Sequence, residues 1–374
     1  MVLDKYNDEI KMKVLFVIND LGMGGAENML VRLADNLAER GHTIKIVTFC
    51  HPVLVEPLNR NIQIVNYNTS NRKGLIKAFL RLRSTIKSFN PDIVHSHLFR
   101  ANFLSRLVRI SVPINKLICT EHSTAVGGIK QIVAYRITDS LADINTNVSA
   151  EAVENYIRRK AVKKGRMVNI PNGVDVEKFK FDPKVRLETR TNLSVNDKKV
   201  ILAVGRLSIP KNYSNLLHSI ALMKDFRKDF KLLIVGDGPL YEDLMQIRKE
   251  LELEDVVEFL GIRSDICSLM QAADVYVMSS SWEGLPMVIL EAMACQRVVV
   301  STKCGGIEKL IKESGFAVDI KDPKALAKKI MLVLDMTEKE RLNRGIKARK
   351  YVINNNAIEI NSKSYLKLYY ETVK

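Results

Sequence analysis

Residues 274–306 read DVYVMSSSWEGLPMVILEAMACQRVVVSTKCGG. The first seven residues, 274–280, form a short apolar run of strand length. A polar turn carrying Gly284 follows over 279–284. Pro286 then opens a run of good helix formers over 286–295, and proline is favoured at the first helical position. A second strand, 297–301, ends at Lys303-Cys304-Gly305-Gly306. Strand, loop, helix and strand in this order make one parallel crossover. Such a unit puts the turn Glu283-Gly284-Leu285 at the carboxyl end of a strand, beside the first amides of the next helix. Those amides lack intrahelical partners and carry partial positive charge, so they suit an anionic ligand. Seven residues lie between Glu283 and Glu291, which falls about one and a half turns into the helix.

On composition alone this stretch is an ordinary crossover with two solvated glutamates. The full pattern, Ser281-Trp282-Glu283-Gly284-Leu285-Pro286 followed by Val288-Ile289-Leu290-Glu291-Ala292-Met293-Ala294, resembles the E-x7-E signature of a large family. These are the retaining glycosyltransferases of the group 1, family 4 type, which includes bacterial sugar transferases and sucrose and glycogen synthases of the GT-B fold.

The chain has 374 residues, enough for two domains, and 47% of them are apolar, as in ordinary globular proteins. No run reaches the ~18 consecutive apolar residues of a membrane span. The opening MVLDKYNDEIKMK has no apolar signal-peptide core, which leads to the expectation of a short tail and a cytoplasmic protein. Five scattered cysteines include no pair at metal-ligand spacing, and no disulfides are expected. The net charge of +16 is uneven: residues 1–187 hold 29 Lys/Arg against 17 Asp/Glu, or +12, and the remainder +4. The basic half points to an anionic surface, whether nucleic acid, anionic lipid or a phosphorylated substrate. Aromatic residues are only 6% and no nucleic-acid-binding module is recognisable, so nucleic acid is disfavoured.

Strands are expected over 13–19, 43–49, 62–67, 93–96, 116–120, 144–148 and 167–172, with helical patterns between them. This alternation predicts a parallel sheet wrapped by helices. After the first strand, Gly22, Gly24 and Gly25 miss the G-x-G-x-x-G spacing, so a dinucleotide site is weakly supported. A turn needing positive φ would explain them. The segment 73–89 combines Lys73, Lys77, Arg81, Arg83 and Lys87 with Leu75, Ile76, Phe79, Leu80, Leu82 and Ile86. That is a basic amphipathic helix, equally a solvated face over a core stripe or a membrane contact. Arg158-Arg159-Lys160 and Lys163-Lys164 form a second basic cluster. His122 follows a strand, in Glu121-His122-Ser123-Thr124, with His95 and His97 as neighbouring candidates for acceptor contact.

The polar stretch 182–199 reads as a linker. The alternation then restarts with strands over 200–204, 232–235, 256–260 and, beyond the opening stretch, 316–320. Arg206 and Lys211 follow the first of these. They are plain surface charges or, on a flexible loop, two cations able to meet one pyrophosphate. A last helix spans about 358–373.

The resemblance covers nearly the whole chain. Gly24-Gly25-Ala26-Glu27 is similar to the family's Gly-Gly-x-Glu loop, Pro171-Asn172-Gly173-Val174-Asp175 to its segment before the hinge, and Gly205-Arg206 with Lys211 to its diphosphate clamp. It implies an α/β, GT-B fold of two Rossmann-like domains facing a deep cleft: an acceptor-binding domain over 1–185, a nucleotide-sugar-binding domain over 186–355, and a C-terminal helix over 356–374 crossing back to the first. It implies a sugar moved, with retention, from a nucleotide-diphosphate sugar, preferably a UDP-sugar, to a lipid-linked saccharide in surface polysaccharide synthesis. The implied catalytic residues are Glu283, His122, Arg206 and Lys211. Donor binding falls to Gly24, Gly25, Arg206, Lys211, Gly261, Gly284, Leu285, Pro286, Met287, Val288 and Glu291. Glu283 would contact the sugar and Glu291 the ribose hydroxyls. No metal or cofactor is expected, since the chain has no Asp-x-Asp, and the protein would lie peripherally on the inner face of the membrane. A glycosidase pair is disfavoured, because eight helical positions span roughly 12 Å, more than the ~5 Å of retaining glycosidases. The alternatives are an epimerase of the same fold, a non-catalytic basic binding protein and a catalytically dead scaffold.

Overall fold

The structure, a computed structural model, describes residues 10–22, 24–69 and 72–371. Of the N-terminal tail expected above, residues 1–9 lie outside the described ones. Two compact units divide the chain: Met1–Gly173 with Ile358–Lys374, and Val174–Ala357.

The first unit runs β1 (Lys13–Ile18), α1 (Gly25–Glu39), β2 (Thr43–Thr48), β3 (Gln63–Asn66), α2 (Arg72–Phe89), β4 (Ile93–His97) and α3 (Phe99–Arg109). It continues with β5 (Lys116–Glu121), α4 (Ile129–Thr138), β6 (Ile144–Asn147), α5 (Ala150–Arg158) and β7 (Met167–Asn169). Its strands are parallel, in the order β3-β2-β1-β4-β5-β6-β7. Strands such as β4 and β5 are buried at every position. Helices cover both faces of the sheet, and this explains their lack of alternating polarity.

The second unit runs α6 (Pro183–Asn192), β8 (Lys199–Val204), α7 (Tyr213–Lys224), β9 (Phe230–Val235), α8 (Tyr241–Glu250), β10 (Val257–Phe259) and α9 (Ile266–Ala272). Then come β11 (Val275–Met278), α10 (Met287–Ala294), β12 (Val298–Thr302), α11 (Ile307–Ile311), β13 (Phe316–Val318), α12 (Pro323–Asp335) and α13 (Glu338–Asn356). The sheet order is β10-β9-β8-β11-β12-β13, again parallel. The last helix, α14 (Ile358–Tyr370), belongs to the first unit. Its Ile358, Tyr365, Leu366 and Tyr369 share one apolar cluster with Met29, Leu30, Leu33 and Leu37 of α1.

Two expectations need correction. The stretch 182–199 is not a linker, because α6 occupies it. Asp182 caps that helix by accepting from the Lys184 amide, with Pro183 in its first turn. Arg186 and Arg190 then pin it to Asp274, at 2.7 and 3.1 Å. The division therefore falls at Gly173/Val174 rather than 185/186, and at Ala357/Ile358 rather than 355/356. All five cysteines are free thiols.

Candidate functional site

In an open parallel sheet, ligands bind beyond the carboxyl ends of the strands, where the strand order reverses. In the second unit that point lies between β8 and β11. The chain leaves β8 toward β9 on one side and leaves β11 toward β12 on the other.

The loops after β8 and β11 meet there. Lys211 Nζ donates to Glu283 Oε1 at 2.7 Å, and Ser280 Oγ donates to the same oxygen at 2.7 Å. The loop backbones are tied as well. The Ser281 amide donates to the Pro210 carbonyl at 2.7 Å, and Ser279 Oγ to the Lys211 carbonyl at 3.0 Å. Both charged side chains keep part of their surface in solvent, 20% for Lys211 and 14% for Glu283. The pair is thus reachable by a ligand yet shielded enough for the attraction to exceed its value in water. Arg206 is exposed on the same loop and has no ion-pair partner among the described residues.

Pro286 is the residue preceding α10, one position earlier than the sequence suggested. The amides of Met287 and Val288 open the helix, where no preceding turn can satisfy them. Gly284 and Leu285 lead into that end, and Glu291 is buried on the second turn at 7% exposure. Gly261 follows β10, and its carbonyl accepts from the Gly236 amide at 2.8 Å, joining the turns after β9 and β10.

Gly24, Gly25 and His122 belong to the first unit. Gly24 precedes α1 with φ −93°, so positive φ is not its reason. A Cβ there would lie 2.1 Å from Glu27 Oε2, so the glycine makes room for a carboxyl folded back over the helix start. Burial, with a smaller contribution from Asp20, raises that carboxyl to about 7. His122 follows β5, and its Nε2 lies 3.0 Å from His97 Nδ1. Burial pushes His122 down to about 4 and holds His95 and His97 well below the usual histidine range. His95 and His97 are fully buried, and both ring nitrogens of His95 are engaged, by Tyr369 and Thr120. The expectation that these two contact an acceptor is therefore not met.

Two family models match this chain along most of its length: Glycosyltransferase Family 4 over residues 23–178 and Glycosyl transferases group 1 over 185–351. The chain belongs to the group 1, family 4 glycosyltransferases. It is 28% identical over 341 residues to a Campylobacter jejuni enzyme, covering 87% of this chain and 89% of the relative. That relative is an α-1,4-N-acetyl-D-galactosaminyltransferase acting on GalNAc-α-(1->4)-GalNAc-α-(1->3)-diNAcBac-PP-undecaprenol. An Escherichia coli UDP-Gal:α-D-GlcNAc-diphosphoundecaprenol α-1,3-galactosyltransferase is 28% identical, covering 75% of this chain and 74% of its own. Anabaena HepE in complex with UDP-glucose has the same fold, with a TM-score of 0.84 at 21% identity, over 96% of this chain and all of that one.

In this glycosyltransferase several supporting residues escaped the sequence reading. Ser280 shares Glu283 with Lys211. Thr302 donates to the Ser280 carbonyl at 2.5 Å, and Tyr213 to the Gly205 carbonyl at 3.1 Å. Gly305, at φ +59°, passes so close to the site loop that a Cβ would fall 2.4 Å from the Gly284 oxygen and 2.5 Å from the Glu283 oxygen. The pair Gly305-Gly306 was visible in the sequence, but its reason, the approach of a loop some twenty positions earlier, was not.

Proposed function

We propose that this glycosyltransferase moves a sugar, with retention, from a UDP-sugar to a hydroxyl of a lipid-diphosphate-linked saccharide in surface polysaccharide synthesis. The Lys211–Glu283 pair at the strand-order reversal of the second unit carries the reading. When the nucleotide diphosphate leaves, charge develops on its phosphates. Arg206, Lys211 and the opening amides of α10 are the groups that stabilise it. Glu283, held by Lys211 and Ser280, contacts the transferred sugar, and Glu291, farther along α10, takes the ribose hydroxyls. With cations and amides serving the diphosphate, the reaction needs no resident metal. The two relatives that act on undecaprenyl-diphosphate saccharides support the acceptor class.

Such an acceptor is met at a bilayer. No helix among the described residues is long and apolar enough to cross one. The first unit carries 28 Lys/Arg against 16 Asp/Glu, or +12. On α2, Leu75, Ile76 and Leu80 are exposed beside Lys77, Arg81 and Lys87. The side chain of Lys73 lies outside the described residues. Beyond α3, which packs against both α2 and α4, Ile129, Val133 and Ile137 stand exposed on α4. Apolar side chains flanked by basic ones suit an anionic lipid surface, and this face docks the enzyme reversibly.

A panel of nucleotide sugars, offered with an undecaprenyl-diphosphate-linked acceptor in the presence of EDTA, tests the reading. UDP release with an axially linked product from an axial donor is expected. Donor epimerised without an acceptor would make the protein an epimerase. No donor turnover, with UDP binding retained, would make it a binding protein.

A further inference from the structure

The second basic cluster of the sequence, Arg158-Arg159-Lys160 with Lys163-Lys164, takes no part in the site described above. It lies at the end of α5 and just beyond, beside a cavity of about 430 Å³ in the first unit. Arg136 of α4 and the exposed Lys160, Lys163 and Lys164 line this cavity, together with the apolar Ile157 and Val162. The one carboxylate in the lining, Asp139, is already engaged. It is buried, pairs with Arg166 at 3.0 Å and accepts from Asn145 Nδ2 at 2.8 Å. Arg136 donates to the Lys160 and Arg159 carbonyls at 2.8 and 3.4 Å, so it offsets the negative end of α5. The three lysine ammoniums have no ion-pair partner among the described residues. The cavity is therefore a concave site of uncompensated positive charge.

The backbone is strained to place one of these lysines. The Lys160 amide donates to the Ile157 carbonyl at 2.9 Å and the Ala161 amide to the Tyr156 carbonyl at 3.0 Å. This is the helix ending whose left-handed residue is usually glycine. Here that residue is Lys160, at φ +57°, where a side chain is strained and glycine is not. Helix α4 adds a second feature. Ile129, Val133 and Ile137 are exposed, and Arg136 shares their side of the helix, seven positions after Ile129 and three after Val133. An apolar stripe thus runs up to a cationic cavity. A nucleic acid or a free phosphate ester would use the lysines and leave the stripe in water. A phospholipid uses both, its phosphate in the cavity and its acyl region against the stripe.

We propose that Arg136, Lys160, Lys163 and Lys164 form a headgroup site that takes the phosphate of one anionic phospholipid. The inference rests on the reading above that the enzyme works at a bilayer, and it turns a diffuse attraction into a discrete site. Lys160 is kept in a glycine conformation because its ammonium is needed at that site.

The test is co-flotation with phosphatidylcholine vesicles that carry phosphatidylglycerol or, at equal surface charge, oleate. The oleate carboxylate sits too deep in the bilayer to enter the cavity. The wild-type protein is expected to favour the phosphatidylglycerol vesicles by about tenfold, since the cavity offers charge-assisted hydrogen bonds to phosphate. Lys160→Gln/Lys163→Gln/Lys164→Gln should erase that preference, whereas Lys312→Gln/Lys324→Gln/Lys347→Gln, the same charge removed from exposed lysines of the second unit, should keep it. Lys160→Gly should melt higher than the wild type yet bind phosphatidylglycerol vesicles about fivefold more weakly, the loss of one basic contact at a lipid surface. Equal wild-type binding to the two vesicles, equal losses in the two triple variants, or full vesicle affinity in Lys160→Gly overturns the proposal. So does wild-type binding of free glycerol 3-phosphate as tight as that of the vesicles, which would make the cavity a site for a soluble phosphate ester. Absence of sugar transfer by the wild type would overturn the functional reading instead, while the vesicle preference still decides the site.

Discussion

The ammonium of Lys211 lies 2.7 Å from the carboxylate of Glu283, although 72 positions separate them in the chain. Each side chain is the other's counter-ion in a partly shielded site. Removing one leaves the other's charge uncompensated, which is costlier than removing both. Lys211→Ala and Arg206→Ala should each lower kcat/KM by about 2–4 kcal/mol of transition-state stabilisation. The double variant Lys211→Ala/Glu283→Gln should fall short of the sum of its singles by roughly 0.5–3 kcal/mol. Strict additivity in a double-mutant cycle would show that the pair is not coupled during turnover.

The two glutamates should separate by function. Glu291 is buried on α10, whereas Glu283, on the loop before it, keeps part of its surface in solvent. Glu291→Ala is expected to weaken UDP binding at least tenfold in calorimetry, and Glu283→Ala to lower kcat with UDP affinity nearly intact. Equal losses of UDP affinity would refute this division.

Gly305→Ala is a remote probe of the same loop. At φ +59° a side chain costs about 1–2 kcal/mol, and its Cβ would push on the Glu283 and Gly284 carbonyls. The variant should melt lower and turn over at least tenfold more slowly. A variant of reduced stability but full kcat would show that the loop tolerates the shift.

Acid should act through the buried histidines. Folded His95, His97 and His122 resist protonation, whereas the unfolded chain binds protons below about 6.5. Stability is therefore lost as pH falls from about 6.5 toward about 4. Glu27 and Glu121 act oppositely. Burial raises both to about 7, so they favour the folded state at low pH, and this is lost as pH rises between about 4.5 and 7. In urea titrations at pH 7.5 and 4.5, His122→Asn should lose less stability on acidification than the wild type, and Glu121→Gln should lose more. Parallel behaviour of all three proteins would contradict the assignment.

Replacing Lys73, Lys77, Arg81 and Arg83 with Gln should release the enzyme from anionic liposomes at low salt while leaving donor hydrolysis unchanged. Each basic residue near the surface contributes about 1 kcal/mol, screened by salt. Transfer to a short-chain soluble acceptor should persist. Unchanged sedimentation would make α2 a solvated face.

The alternation of apolar runs and helical patterns made both sheets legible, because strands buried on two faces announce themselves without partners. The 182–199 stretch did not, since α6 is polar and is fixed by Arg186 and Arg190 reaching Asp274, more than 80 positions away. Glu283, Glu291, Arg206 and Lys211 were legible as a motif. Their mutual geometry was not, because spacing along a chain is silent about which loops a sheet brings together. Gly24 and Gly305 were visible as residues, but the reason for each, a neighbour occupying the space of a Cβ, exists only in three dimensions.

The last helix fixes an order of assembly. The second unit is one uninterrupted segment, complete once Ala357 has been made. The first unit is begun earlier but cannot close until α14 brings Tyr365 and Tyr369 onto His95. During synthesis the unit that starts first gains its last helix only after the second unit's segment has been made, so the part of α1 that meets α14 waits longest for its partner.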